Sequence, residues 1–177
     1  MIVTDTVLIL TLLFLLLIGA SMLVHVFLGV PYVPSESAVV AKMIAAAKLK
    51  SGDTVFDLGC GDGRLLFAAE KKVKVKTIGY EVAPAMFLLA HLLKILAKSK
   101  AKIHFKSLFS ANLAGANVIF CYLMPGALVK LSEKIKRECK KGTRIVSNTF
   151  GIPGLELVEK LERDKSKGLP SIYLYKV

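Results

Sequence analysis

Thr54-Val55-Phe56-Asp57-Leu58-Gly59-Cys60-Gly61-Asp62-Gly63-Arg64-Leu65-Leu66-Phe67 is the stretch that decides the fold of this 177-residue chain. Residues 54–58 read as a buried β-strand, 59–63 as a glycine turn, and Leu65, Leu66 and Phe67 as the apolar start of a helix. Glycine is needed in such a turn because the backbone bends sharply and a ligand must approach it without a Cβ in the way. The spacing is GxGxG rather than the GxGxxG of dinucleotide sites. Asp57 and Asp62 bracket the loop, and two carboxylates there would repel a pyrophosphate and attract a cation. The expected ligand is therefore positively charged near the loop. Glu81 closes a second strand, Thr77-Ile78-Gly79-Tyr80-Glu81, 18 residues beyond Gly63. At that place a carboxylate can accept hydrogen bonds from both hydroxyls of a ribose.

Outward from this unit, strand and helix signals alternate. Residues 54–58, 74–80, 102–106, 117–123, 143–149 and 171–176 read as strands, and 64–71, 84–98 and 126–139 as helices. This order predicts an α/β fold with a largely parallel sheet covered by helices on both faces. The link from Ser107 to Ala116 is too short for a crossover helix of usual length. Upstream, Pro31-Tyr32-Val33-Pro34 makes a stiff extended connector, and Ser35 is placed to cap a helix over 36–48 with Val39, Val40, Met43, Ile44 and Ala47 on one stripe. The helix from Pro84 to Lys98 is apolar around most of its circumference, with His91, Lys94 and Lys98 as a narrow polar stripe. Covering one sheet face uses only one apolar stripe, so this helix needs a second apolar partner. The N-terminal helix folding back, a membrane interface, or burial between helices of the same domain would each serve.

Val7 to Val30 runs for 24 residues with only Thr11, Ser21 and His25 as clearly polar interruptions. As a helix it would be roughly 36 Å long, enough to cross a hydrocarbon core of about 30 Å with some tilt. A cleaved signal peptide would show a basic leader and a shorter apolar core, whereas Asp5 is the one charged residue before this run. The reading is a retained single-pass anchor. Lys42, Lys48 and Lys50 follow closely and no lysine precedes, which places the remainder on the cytoplasmic side. His25 near the inner end of the span is an interfacial residue rather than a proton relay.

All 25 Lys and Arg, and 12 of the 13 acids, lie after the span, so that part carries a formal +13 and the whole chain a net +12. Such a charge favours an anionic leaflet. The lysines are scattered rather than packed into one basic run, so nucleic acid is not the expected partner. Cys60, Cys121 and Cys139 form no CxxC pair, and His25, His91 and His104 share no ligand spacing, so no metal site is expected.

The stretch VFDLGCGDGRLL followed by IGYE resembles the first two motifs of class I S-adenosylmethionine (SAM)-dependent methyltransferases. The N-terminal apolar segment, PYVPS, VIFCYLMP and GTRIVSNTF are further similar to the small membrane-associated lysine methyltransferases of the ATP synthase c-subunit and the adenine nucleotide carrier, and to their prokaryotic relatives. This resemblance covers roughly Pro31 to Phe150. It implies a Rossmann-like class I methyltransferase sheet preceded by one transmembrane helix: residues 1–30 an anchor, 31–50 a connector and first helix, and 51–177 the catalytic domain. It implies SAM as cofactor, with Asp57, Gly59, Cys60, Gly61 and Gly63 around the methionine end, Glu81 at the ribose, and Ser107 and Leu108 where the family places an acidic residue near the adenine. Leu155 stands where relatives often have Trp.

A lysine acceptor must lose a proton before it attacks, and its ordinary pKa is about 10.4, so a poorly solvated aromatic pocket would help. Tyr122, at the end of the fourth strand, is the first candidate to shape that pocket or else a core aromatic; Asn148 and Tyr32 follow. No [DN]PP[YF] motif follows that strand, which argues against amide or exocyclic-amine acceptors. Three functions stay open: lysine methylation of a membrane-associated protein, methylation of a lipid or quinone-like molecule, and a membrane-tethered SAM-binding module without turnover. RNA methylation ranks last.

Overall fold

The computed structural model describes residues 2–28 and 34–177. The connector positions Pro31, Tyr32 and Val33 lie outside them, and so does the side chain of His25. Helix α1 (Ile2–Leu28) precedes α2 (Ser37–Ala47), and then strand and helix alternate: β1 (Thr54–Leu58), α3 (Arg64–Lys72), β2 (Lys76–Glu81), α4 (Pro84–Leu96) and β3 (Lys102–Phe105). A single 3-10 turn at Leu108–Ser110 leads to β4 (Val118–Cys121), α5 (Pro125–Glu138), β5 (Arg144–Asn148), β6 (Leu157–Leu161) and β7 (Ile172–Lys176). Strand order is β3-β2-β1-β4-β5-β7-β6. The first five strands are parallel and β7 is antiparallel to both β5 and β6.

The expected α/β sheet with helices on both faces is present. On one face α2 and α3 bury Val39, Val40, Met43, Ile44, Leu65 and Ala69 against Val55, Val118, Phe120 and Val146. On the other, α5 buries Leu128, Leu131 and Ile135 against Phe56, Ile119, Cys121 and Ile145. Successive residues of β1 and β4 thus serve opposite faces, as the period of two requires. The shortened link after β3 carries the 3-10 turn in place of a crossover helix.

One local expectation is corrected, and one strand went unread. Glu36, not Ser35, is the N-cap of α2, and the Ser35 carbonyl instead accepts a bond from Arg64 Nη1 (2.8 Å). Strand β6 was not legible at all; four of its five residues are exposed at the sheet edge. The C-terminal end of α2 is tied down from a distance. Arg144 donates from Nη1 to the carbonyls of Ala47 (2.7 Å) and Lys48 (2.5 Å), and from Nη2 to Asp53 (2.5 Å). A guanidinium therefore satisfies carbonyls that a helix end leaves unpaired, and it makes α2 part of the sheet's own core.

Helix α1 holds an apolar stretch, Thr4–Val24, that could cross a membrane by length and composition. It packs against α4, where Ser21 is buried and its Oγ accepts the Ala85 N–H (2.8 Å). Residues 4–16 are exposed throughout, and shielding begins at Leu17. The second partner that α4 needs is thus α1, along its first turns.

Candidate active site

The C-terminal ends of β1, β2 and β4 border one cleft, because the chain leaves β1 for neighbours on both sides. Asp57, Gly59, Cys60, Gly61, Asp62, Glu81, Ser107, Leu108 and Tyr122 all line it. Val24 from α1, and Pro34 and Ser35 before α2, complete its rim.

The loop is held by backbone geometry. Gly59 and Cys60 both donate N–H to the Tyr80 carbonyl (3.0 Å each), and the Gly63 N–H bonds to the Cys60 carbonyl (2.9 Å). Gly63 has φ of +81° and a Cβ there would lie 2.5 Å from Phe67 Cζ, so this position is closed to side chains on two counts. Gly63→Ala should destabilise the fold by about 1–3 kcal/mol. A thermal melt with an unchanged midpoint would refute this. Gly79 on β2 was missed by sequence reasoning. A Cβ on it would sit 2.7 Å from both Cys60 Sγ and Leu66 Cδ1, so the loop rests on the bare backbone of β2. Its only sequence signal is a glycine inside a strand.

Cys60 contributes backbone to the loop, while its side chain joins Leu66, Phe67, Ala90 and Ile103 in an apolar cluster. Burial, then the charges of Asp57 and Glu81, push its thiol well up, so it is no thiolate nucleophile.

Three buried carboxylates meet here, and each is treated differently. Asp62 is paired with Arg64 in a fork that uses Nε (3.0 and 2.9 Å) and Nη2 (2.5 Å). Glu81 accepts the N–H of Gly61 on Oε2 and those of Val82 and Ala83 on Oε1, all at 2.8 Å. A carboxylate has about four acceptor sites, so about one is left for a ribose hydroxyl. Asp57 has no hydrogen bond among the described residues, and burial, followed by Glu81 and Asp62, pushes its carboxyl up to about 7. Two of the three charges thus lack a positive partner, as suits a cofactor carrying a sulfonium and an ammonium.

Ser107 caps the 3-10 turn by accepting the Phe109 N–H (3.3 Å), and Leu108 stands beside it in the cleft wall. Lys106, Phe109 and Met124 line the same wall and were not singled out from sequence. Tyr122 is half-buried and faces the cleft. Asn148 does not line it. That side chain is buried at the end of β5, where its Oδ1 accepts a bond from Thr149 (3.2 Å). Among the described residues no cluster of His, Cys, Asp or Glu could hold a metal.

The model of the ANTKMT methyltransferase domain matches residues 57–159. A protein-lysine N-methyltransferase of Saccharolobus islandicus is 34% identical over 149 residues, covering 82% of this chain and 92% of that protein. The adenine nucleotide translocase lysine N-methyltransferase of Mus musculus is 33% identical over 71% of this chain, which spans only 56% of the mouse protein's length. Among solved structures, an RNA methyltransferase from Salinibacter ruber in complex with S-adenosyl-L-homocysteine superposes with a TM-score of 0.76. It is 25% identical, and the match covers 82% of this chain and 94% of that one.

Proposed function

The chain belongs to the ANTKMT family of SAM-dependent protein-lysine methyltransferases, and from that premise we propose that it methylates lysine side chains of a membrane-associated protein while anchored by residues 1–30. One observation carries the membrane part. The apolar helix α1 lies on α4, and its Val24 reaches the rim of the cofactor cleft. An acceptor held beside that helix at the cytoplasmic face would meet the cleft directly. Residues 31–50 then form the connector and first helix, and 51–177 the catalytic domain.

When bound, SAM supplies a methyl group already activated by its sulfonium, and the chain's own residues position it and exclude water. Asp57 and Glu81 supply negative charge at the cofactor's cationic and ribose ends, Gly59 to Gly63 let the backbone close on it, and Ser107 and Leu108 flank the adenine. Tyr122 narrows the acceptor end of the cleft, where reduced solvation favours the neutral amine that attacks. Asn148 stands behind it on the adjoining strand end, since Cys121 pairs with Ser147. Tyr122→Ala should lower the rate of methyl transfer about tenfold or more while leaving SAM affinity within about twofold. Loss of SAM affinity in proportion to rate would assign Tyr122 to the cofactor instead.

Membranes incubated with methyl-labelled SAM and the full chain test the whole reading. Label on lysine of a membrane protein is the expected result. Label in lipid would make the acceptor a small apolar molecule, which the same tether would serve, and label in RNA or in nothing would overturn the proposal.

A further inference from the structure

Helix α1 covers only the first turns of α4. Beyond them Leu88, Leu92, Ile95 and Leu96 are 52%, 56%, 73% and 70% exposed, at the i, i+4, i+7, i+8 spacing that puts them on one face. Phe105, 56% exposed at the end of β3, extends the same edge and lies 5.2 Å from the Phe87 ring, centroid to centroid. Soluble surfaces seldom gather so much apolar area in one patch. Exposed Lys98, Lys100 and Lys102 follow the stripe immediately.

The length of α1 says what covers this face. Asp5 is disfavoured in hydrocarbon, so the apolar span starts after it. Residues 6–16, clear of the domain, rise only about 17 Å, against a hydrocarbon core of about 30 Å. The remaining thickness must be crossed by residues 17–24, where α1 packs on α4 and Leu17 to Ser21 and Val24 are shielded while Met22 and Leu23 stay exposed. A bilayer that takes in this span therefore reaches α4 itself. We propose that the exposed face of α4, from Leu88 to Leu96, lies in the interface of an anionic bilayer, with Lys98, Lys100 and Lys102 among the headgroups. The depth left over, about 13 Å, slightly exceeds the 5–10 Å at which amphipathic helices bury their apolar faces, so α4 falls within reach of the interface. The catalytic domain is then fixed to the membrane at two points, and its cleft has one set orientation to the surface. This inference rests on the anchor reading given above.

The chain contains no Trp, so single introduced tryptophans report unambiguously. Leu13→Trp in α1, Leu92→Trp in α4 and Val158→Trp on β6, the opposite edge of the sheet, would each be made in the full chain. Each is reconstituted in phosphatidylcholine and phosphatidylglycerol vesicles whose acyl chains are brominated near the headgroup. Leu13→Trp and Leu92→Trp should each lose about half their emission, and Val158→Trp should lose almost none, as interfacial burial requires. Quenching of Leu13→Trp without Leu92→Trp would overturn the α4 face and leave the anchor standing. Failure of Leu13→Trp would overturn the anchor and this inference with it. Equal quenching of Val158→Trp would mean general adsorption and would also overturn it. Retained SAM binding checks each fold, and Ile95→Trp replaces Leu92→Trp if that variant loses it.

Discussion

Asp57→Asn should weaken SAM binding by about 10- to 100-fold, roughly 1–3 kcal/mol, and S-adenosylhomocysteine by clearly less. The homocysteine product keeps the ammonium and lacks the sulfonium, so only part of its attraction is lost. Equal losses for both ligands in calorimetry would make Asp57 structural. Its displaced titration gives the effect a pH signature. With the carboxyl at about 7 in the free protein, SAM affinity should fall about tenfold per pH unit below 7, because binding the cation first requires the proton to leave. The same residue acts on stability in the opposite sense. Its folded value lies above its ordinary 3.8, so its contribution to the ligand-free fold is complete below about pH 4 and is lost as pH rises through about 7. Asp57→Asn should flatten both profiles. A wild-type affinity that does not change between pH 5 and 7 would show that this carboxyl is not the one titrating.

Glu81→Ala should be the more damaging substitution, lowering SAM affinity by about 100-fold or more and the melting temperature as well. Removal of a ribose partner accounts for about 1–3 kcal/mol. In addition the N–H groups of Gly61, Val82 and Ala83 lose their acceptor, and a buried donor left unpaired carries a comparable penalty. The Gly61 amide is the one that couples ribose recognition to the shape of the loop. Lost affinity with an unchanged melt would reduce Glu81 to a ribose ligand, and unchanged affinity would remove it from the site.

The loop, the acid that ends β2 and the five α-helices were legible because each is a local pattern: a glycine spacing, a strand ending in a carboxylate, an apolar stripe. What stayed hidden depends on the direction a side chain takes or on residues far apart in the chain. Asp62 read as a free charge beside the ligand, yet Arg64 occupies it, and a two-residue separation gives no sign that the side chains fold onto each other. Nothing near residue 144 announces that its guanidinium closes α2 through Ala47 and Lys48. Strand β6 escaped because Leu-Val-Glu-Lys-Leu at an open edge has neither a buried face nor a clean alternation. The surplus apolar surface of α4 was legible as a surplus, while its division between α1 and an open face needed the structure. Asn148 sat at a plausible strand end, but its side chain bonds along the backbone direction to Thr149 rather than into the cleft.

The place of β7 between β5 and β6 also fixes the order in which a nascent chain can assemble. Among the described residues strand β6 pairs only with β7, so until Lys176 has been made the growing sheet ends at β5, with its edge unpaired and β6 unattached. Helix α1 is complete some 150 residues earlier, which at about 5–20 residues per second is roughly 7–30 s of synthesis. Helix α1 can therefore form well before the sheet can close. On the anchored reading proposed above, α1 would enter lipid while the last strand is still being translated, leaving an incomplete β-sheet beside the membrane for most of that time.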